Sequence, residues 1–355
     1  MQNVLDALTP RLLATTEATI LTPAEIDAVV DALASGDVPD VSKAEFLRAL
    51  SQRGETPGEI AEFCRALLRR AVDPKIDPAR LSGPLLDVCG TGGDRVNTFN
   101  VSTTTSFILA AGGVALAKHG GRALSSRSGG IDVIQALGVR VVGVSPAEAR
   151  HCLELHGLCF LWAPDYHPAF AAGVAARRQL SREGISTIFN LLGPLLNPVR
   201  PARQLLGVYA PPLTEKLSAV FGELGRAHAW AVHGALHDGT GRGMDEMSIL
   251  GDTLVGRWEN GVASRLHVHP RDAGLSLAGS LDELRGGDAQ ENAQILYGIL
   301  AGEIGGGRRD LVLLNAAAGF VVAGLARDLA AGAELARAQI ENGRALAKLH
   351  ALQTH

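Results

Sequence analysis

The chain has 355 residues, 46% hydrophobic and only 4% aromatic, with 42 glycines and a formal net charge of −4. That length suits one large or two moderate domains, and the mildly acidic balance gives no electrostatic case for nucleic acid as a partner. The four cysteines (Cys64, Cys89, Cys152, Cys159) form no Cys-x-x-Cys pair, which argues against a disulfide frame and for a reducing, cytoplasmic setting.

Residues 1–73 read as wholly helical. Thr22-Pro23-Ala24-Glu25 and Thr56-Pro57-Gly58-Glu59 each place a hydroxyl cap, Pro at the first helical position and Glu at the third. Ile26, Val29, Val30 and Leu33, then Phe46, Leu47 and Leu50, follow helical spacing. So small a bundle leaves apolar faces over, which fit either a dimerisation surface or a lid packed on its own chain. No basic stretch followed by an apolar core opens the chain, so no signal peptide is expected.

Residues 72–83 read as a linker. Strands and helices then alternate: strand 85–88, helix 103–111, strand 114–117, helix 131–137, strand 139–142, a helix capped by Ser145-Pro146-Ala147-Glu148, and strand 158–162. This order predicts a largely parallel sheet. A helix over 167–180 and a helix-then-turn over 187–198 follow. Strands 204–210 and 229–232 flank helix 214–224, and 254–258 and 264–268 read as antiparallel additions. Three helices, 292–301, 309–326 and 331–349, finish the chain. The apolar run 311–326 contains Asn315 and two glycines and reads as a buried helix, not a membrane span. The expected fold class is α/β: an N-terminal helical domain plus a larger α/β domain with a mainly parallel central sheet flanked by helices.

Two stretches after strands point to chemistry. Cys89-Gly90-Thr91-Gly92-Gly93-Asp94 ends the first strand, and Asn100-Val101-Ser102-Thr103 follows where a helix should start. Glycines let the backbone approach an oxyanion, and the N–H groups and hydroxyls of a helix start point at it. Lys118-His119-Gly120-Gly121-Arg122 repeats the arrangement with fixed charge, and Ser125-Ser126-Arg127-Ser128-Gly129-Gly130 extends it. The first stretch matches neither G-x-G-x-x-G nor G-x-x-x-x-G-K-[ST], which argues against a dinucleotide site or an ordinary P-loop. Lys118 and Arg122 are also compatible with a solvated loop. Asp245-Glu246 is the best acidic pair: adjacent loop carboxylates suit Mg²⁺, which takes one or two carboxylates plus phosphate oxygens and water, or they are simply solvated. Arg177, Arg178 and Arg182 could grip a carboxylate in a bidentate fork. No Ser-His-Asp or Cys-His set and no metal-ligand histidine spacing is evident.

Together these segments resemble the anthranilate phosphoribosyltransferase family. The likeness rests on Asp-Val-x-Gly-Thr-Gly-Gly-Asp at 87–94, Thr-Phe-Asn-Val-Ser-Thr at 98–103, Lys-His-Gly-x-Arg at 118–122, Ile-Phe-Asn-Leu-Leu-Gly-Pro-Leu-Leu-Asn-Pro at 188–198 and the Asp245-Glu246 pair. It extends to Arg-Gly-Glu-Thr at 53–56, His-Pro-Ala at 167–169 and Leu-Leu-Asn-Ala-Ala-Ala at 313–318. The resemblance implies phosphoribosyl pyrophosphate (PRPP) and anthranilate as substrates, Mg²⁺ as cofactor, a homodimer and a step in tryptophan biosynthesis, with no nucleic-acid or membrane partner. It implies a helical domain over 1–73, joined in space by parts of 165–190, that supplies the dimer interface, and an α/β phosphoribosyltransferase domain over 80–355. PRPP would be held by Gly90, Gly93, Asp94, Thr98, Asn100, Val101, Ser102, Thr103, Lys118, His119, Gly120, Arg122, Ser126 and Gly130. Anthranilate would meet Gly90, Gly121 and Arg177. Mg²⁺ would meet Ser102, Asp245 and Glu246, and no residue is assigned a proton-transfer role. Three departures stand out: Gly121 replaces the family's Asn, Gly130 replaces a Ser, and about three extra residues lie near Ser181-Arg182-Glu183. The alternatives are a phosphoribosyltransferase with another aromatic acceptor, a pyrimidine nucleoside phosphorylase, and a non-catalytic relative that binds nucleic acid.

Overall fold

The structure, a computed structural model, describes residues 3–14, 19–122, 127–236 and 239–355, with the backbone only at 169–171. The chain divides into two compact units, one of residues 1–72 and 164–198, the other of residues 73–163 and 199–355.

The first unit is helical. Its N-terminal helices are Val4–Leu13, Pro23–Ala34, Asp40–Arg53 and Pro57–Arg69. Both expected caps form: the Thr22 hydroxyl accepts from the Glu25 N–H and the Glu25 carboxylate from the Thr22 N–H, and Thr56 and Glu59 do the same. Glu59 does more than cap. Its buried carboxylate also accepts from the Leu21 N–H (2.9 Å) and pairs with the Arg53 guanidinium (2.6 Å). Burial alone would raise its pKa, but these bonds outweigh it and hold the group below the usual range. The Lys43 ammonium, also buried, donates to the Ser35 carbonyl (2.7 Å) and the Ala172 carbonyl (3.0 Å), tying the later segment to the bundle. The expected single helix over 167–180 is instead a 3₁₀ turn, Pro168–Gly173, followed by helix Val174–Arg182. Pro168 cannot supply an interior N–H, and Gly173 weakens continuation.

The second unit is built on an eight-stranded sheet: β1 (Leu85–Gly90), β2 (Ala115–Gly120), β3 (Leu158–Trp162), β4 (Arg203–Gly207), β5 (His228–Ala235), β6 (Gly243–Met244), β7 (Thr253–Glu259) and β8 (Val262–Val268). The order is β3-β2-β1-β4-β5-β7-β8, with β6 on β5. The strands from β3 to β5 run parallel, and β6, β7 and β8 are antiparallel additions. Connections proceed one way from β1 to β2 and β3 and the other way from β4 to β5, so the direction of winding reverses between β1 and β4. Open parallel sheets bind ligands outside the carboxyl ends of strands at such a reversal.

Helix Gly306–Ala323 is buried along most of its length, as the run 311–326 suggested. No helix among the described residues is long and apolar enough to cross a membrane. Two expectations fail in this unit. Residues 139–142 form no strand; Val139 and Val141 are buried, and that alternation imitates a strand. The expected helix 331–349 is two, Leu329–Glu341 and Arg344–Gln353. They are parted by Gly343, whose φ of 73° no helix interior accepts.

Candidate functional site

The site grows from the carboxyl ends of β1 and β4. Gly90 closes β1 and Gly207 closes β4, paired in register. The Thr91 N–H donates to the Gly207 carbonyl (2.9 Å), and the Tyr209 N–H to the Thr91 hydroxyl (3.1 Å), so the loops after the two strands are joined. Asp245 lies directly over this junction. A Cβ on Gly207 would fall 1.5 Å from the Asp245 carbonyl oxygen, and one on Gly90 2.4 Å from its carboxylate. Both glycines are therefore steric requirements for bringing residue 245, distant in sequence, onto β1.

Hydrogen bonds fix that approach. The Asp245 carboxylate accepts from the Gly92 N–H (2.7 Å), and the Asp245 N–H donates to the Asp94 carboxylate (3.2 Å). Asp94 also accepts from the Val96 N–H (3.0 Å). Glu246 lies close to the start of helix Val101–Ala111 and feels the nearby Lys118 ammonium. The Lys118 side chain is buried and donates to the Val88 carbonyl (2.5 Å) and the Ser102 hydroxyl (3.1 Å). Three carboxylates thus share one crevice end with one ammonium. Desolvation, then the charge of Asp94, pushes the Asp245 carboxyl up to about 7. Desolvation and the charge of Asp245 push Glu246 well above the usual range, with Lys118 opposing. Such crowding is a deficit of positive charge. Among the described residues no three His, Cys, Asp or Glu side chains are arranged to hold a metal ion unaided. Mg²⁺ does not need three, because phosphate oxygens and water complete its octahedron.

The carboxylates are held from behind. On helix Gly306–Ala323 the buried Asn315 amide accepts from the Met247 N–H (2.9 Å) and donates to the Met247 carbonyl (3.0 Å) and the Leu311 carbonyl (2.9 Å). Ser248 donates to the Ala235 carbonyl (2.6 Å), and its own N–H donates to the Thr253 hydroxyl (2.9 Å). The backbone just after Glu246 is therefore fixed on both sides.

The remaining sequence candidates in this unit fall around the same loops. Gly93 lies in the β1 loop with φ 86°. Thr98 bridges to Arg285, Val101 and Thr103 are buried in the first helical turn, and Asn100 occupies the cap position with its side chain turned elsewhere. His119 and Gly120 end β2. Arg122 is exposed, 3.7 Å from Asp132. Among the described residues, a Cβ on Gly121 would meet nothing within 4 Å, whereas one on Gly130 would lie 2.9 Å from the Thr103 hydroxyl. Ser126 lies outside the described residues. Arg177 belongs to the helical unit, on Val174–Arg182, with its guanidinium 4.6 Å over the Phe189 ring. Sequence reasoning missed the supporting role of Asn315; its one local signal was a polar residue inside an apolar run.

Comparison with known proteins agrees with this picture. A family profile described as glycosyl transferase family, a/b domain, matches residues 82–346, and one described as glycosyl transferase family, helical bundle domain, matches residues 12–71. The anthranilate phosphoribosyltransferase of Chloroflexus aggregans is 43% identical over 331 residues, 93% of each chain. The crystal structure of the Thermus thermophilus enzyme of that name superposes with a TM-score of 0.86 at 35% identity, covering 99% of both chains. The Saccharomyces cerevisiae enzyme, solved in complex with PRPP and Mg, gives 0.84 at 28% identity over 99% of this chain and 97% of that one. The chain belongs to the anthranilate phosphoribosyltransferase family of glycosyl transferases.

Proposed function

We propose that this protein transfers the phosphoribosyl group of PRPP to the amine of anthranilate, releasing pyrophosphate, in tryptophan biosynthesis. The observation that carries the reading is Asp245 seated on the glycines that end β1 and β4, which sets a carboxylate pair beside two anion-binding loops. A new bond forms between the amine nitrogen and C1 of the ribose. The C1–oxygen bond breaks, pyrophosphate leaves with its electron pair, and the amine loses a proton to solvent. Charge accumulates on the leaving group and C1 passes through an oxocarbenium-like state, so positioning and charge stabilisation supply most of the acceleration. An aromatic amine is neutral at pH 7 and needs no strong base to attack.

In this reading Gly90, Gly93, Asp94, Thr98, Asn100, Val101, Ser102, Thr103, Lys118, His119, Gly120, Arg122, Ser126 and Gly130 hold PRPP. Gly90, Gly121 and Arg177 meet anthranilate, with Arg177 gripping its carboxylate. Ser102, Asp245 and Glu246 would hold Mg²⁺, and the crowded carboxylates give the site the charge such an ion satisfies. When bound, Mg²⁺ neutralises charge building on pyrophosphate. The chain's own groups do the rest: Lys118 adds a fixed positive charge and the Ser102 helix start offers N–H donors. The helical unit would form a homodimer interface; Val41 on helix Asp40–Arg53 is 64% exposed and Leu13 50%, consistent with a covered face. Four cysteine thiols, all buried, suit a cytoplasmic setting.

The test mixes protein, PRPP, Mg²⁺ and anthranilate and counts pyrophosphate against anthranilate consumed. The reading predicts one to one. Phosphorolysis of uridine or thymidine instead would favour a nucleoside phosphorylase. Gly121, which carries no side chain where the family has Asn, supports a second reading, a roomier acceptor pocket; turnover of a bulkier aromatic amine faster than anthranilate would favour it.

A further inference from the structure

We infer that Asn292 is a positioning residue that sets the spacing between the two anion-binding loops. It lies on helix Ala289–Leu300, far along the chain from either loop, and its side chain is 2% exposed. Its amide donates to the Asn100 Oδ1 (2.9 Å) and to the Ser128 Oγ (2.8 Å). Asn100 opens the helix start of the first loop, and Ser128 belongs to the second. These two also meet directly, the Ser128 hydroxyl donating to the Asn100 Oδ1 (3.3 Å). The Asn292 Oδ1 is used as well, accepting from the Gly287 N–H (2.8 Å). One side chain therefore joins three backbone segments.

The segment before this helix braces the same loop. The Phe99 N–H donates to the Leu284 carbonyl (3.3 Å), the Gly286 N–H donates to the Asn97 carbonyl (2.9 Å), and Thr98 bridges to Arg285. The helix reaches the second loop again through Glu291 and Arg127, 3.9 Å apart. Gly286 permits this packing: a Cβ there would lie 2.7 Å from both the Asn292 Oδ1 and the Phe99 Cα. Residues 284–292 thus form a strap under the first loop, and Asn292 extends it to the second. A substrate with a phosphate at one end and a pyrophosphate at the other is gripped well only when its two sites keep a fixed separation. This inference rests on the PRPP reading.

The test is Asn292→Leu, close in size and unable to make any of these bonds, with Ser128→Ala and the double variant Asn292→Ala/Ser128→Ala. Steady-state kinetics are measured against both substrates, with thermal midpoints as a folding control. Asn292→Leu raises KM for PRPP about tenfold or more, the scale expected when buried partners lose their donor, and leaves KM for anthranilate within about twofold. A residue that only supported the fold would not split the two. The Ser128 and Asn292 alanine effects are less than additive, because they act through one network. Should Asn292→Leu not fold, the alanine cycle carries the test. A folded Asn292→Leu with unchanged KM for PRPP, or strictly additive alanine effects, overturns the inference while leaving the reaction intact. A wild-type protein that does not consume PRPP overturns the functional reading instead.

Discussion

Asn315 gives the sharpest link from packing to chemistry. Asn315→Leu keeps the side-chain size but removes both bonds to Met247, whose N–H and carbonyl are buried. Each buried backbone group left without a partner costs about 1–3 kcal/mol, so the pair costs about 2–6 kcal/mol. The third bond, to the Leu311 carbonyl, adds little, because that carbonyl is already used within the helix. Against a typical total of about 5–15 kcal/mol, such a loss is large, and a urea titration reads it as a lowered midpoint with unchanged slope. Met247 follows Glu246 directly, so the same change loosens the carboxylate pair, and half-maximal activity should require several-fold more Mg²⁺. A stability loss below about 1 kcal/mol together with an unchanged Mg²⁺ requirement would show that Asn315 does not fix this loop.

Other expectations follow from the same geometry. Asp245→Asn with Glu246→Gln lowers Mg²⁺-dependent turnover by about 10²–10³-fold without lowering the thermal midpoint, since crowded like charges are removed; unaltered turnover would contradict the metal assignment. Gly121→Asn, whose Cβ meets nothing within 4 Å among the described residues, folds with its midpoint unchanged, whereas Gly130→Ser presses on Thr103 and lowers the midpoint; the reverse ranking would contradict the packing. His167 is buried against the Leu196 carbonyl (2.8 Å), and desolvation lowers its pKa to about 4. The unfolded chain then binds the extra proton, so stability is full above about pH 6.5 and falls toward pH 4, by about 3 kcal/mol in all. His167→Gln should flatten that part of the pH–stability curve, and an unchanged slope would argue against the buried neutral imidazole.

Local signals in the sequence were legible where local physics decides. Thr22 and Thr56 cap helices through bonds spanning three residues, which a single sequence displays in full. The parallel sheet followed from alternation of element types. The misread strand at 139–142 and the fused helix 331–349 show the limits of periodicity: burial can alternate in a loop, and one glycine at positive φ ends a helix that composition would continue. At the site, the glycines of the β1 loop and the acidic pair were visible as motifs, but their meeting was not. Asp245 reaches Gly92 across 153 residues, Asn315 reaches Met247 across 68, and Asn292 reaches Asn100 across 192. An asparagine in a helix does not name its distant partner; the strand order, which returns later segments of the same unit to the end of β1, creates these contacts.

The central claim, that this crevice joins anthranilate to PRPP with Mg²⁺, is tested most directly by following anthranilate fluorescence in the purified protein. The account predicts loss of the signal only when PRPP and Mg²⁺ are both present, abolished by chelation and restored by added Mg²⁺. Stable anthranilate fluorescence with both present, from a folded protein, would contradict it.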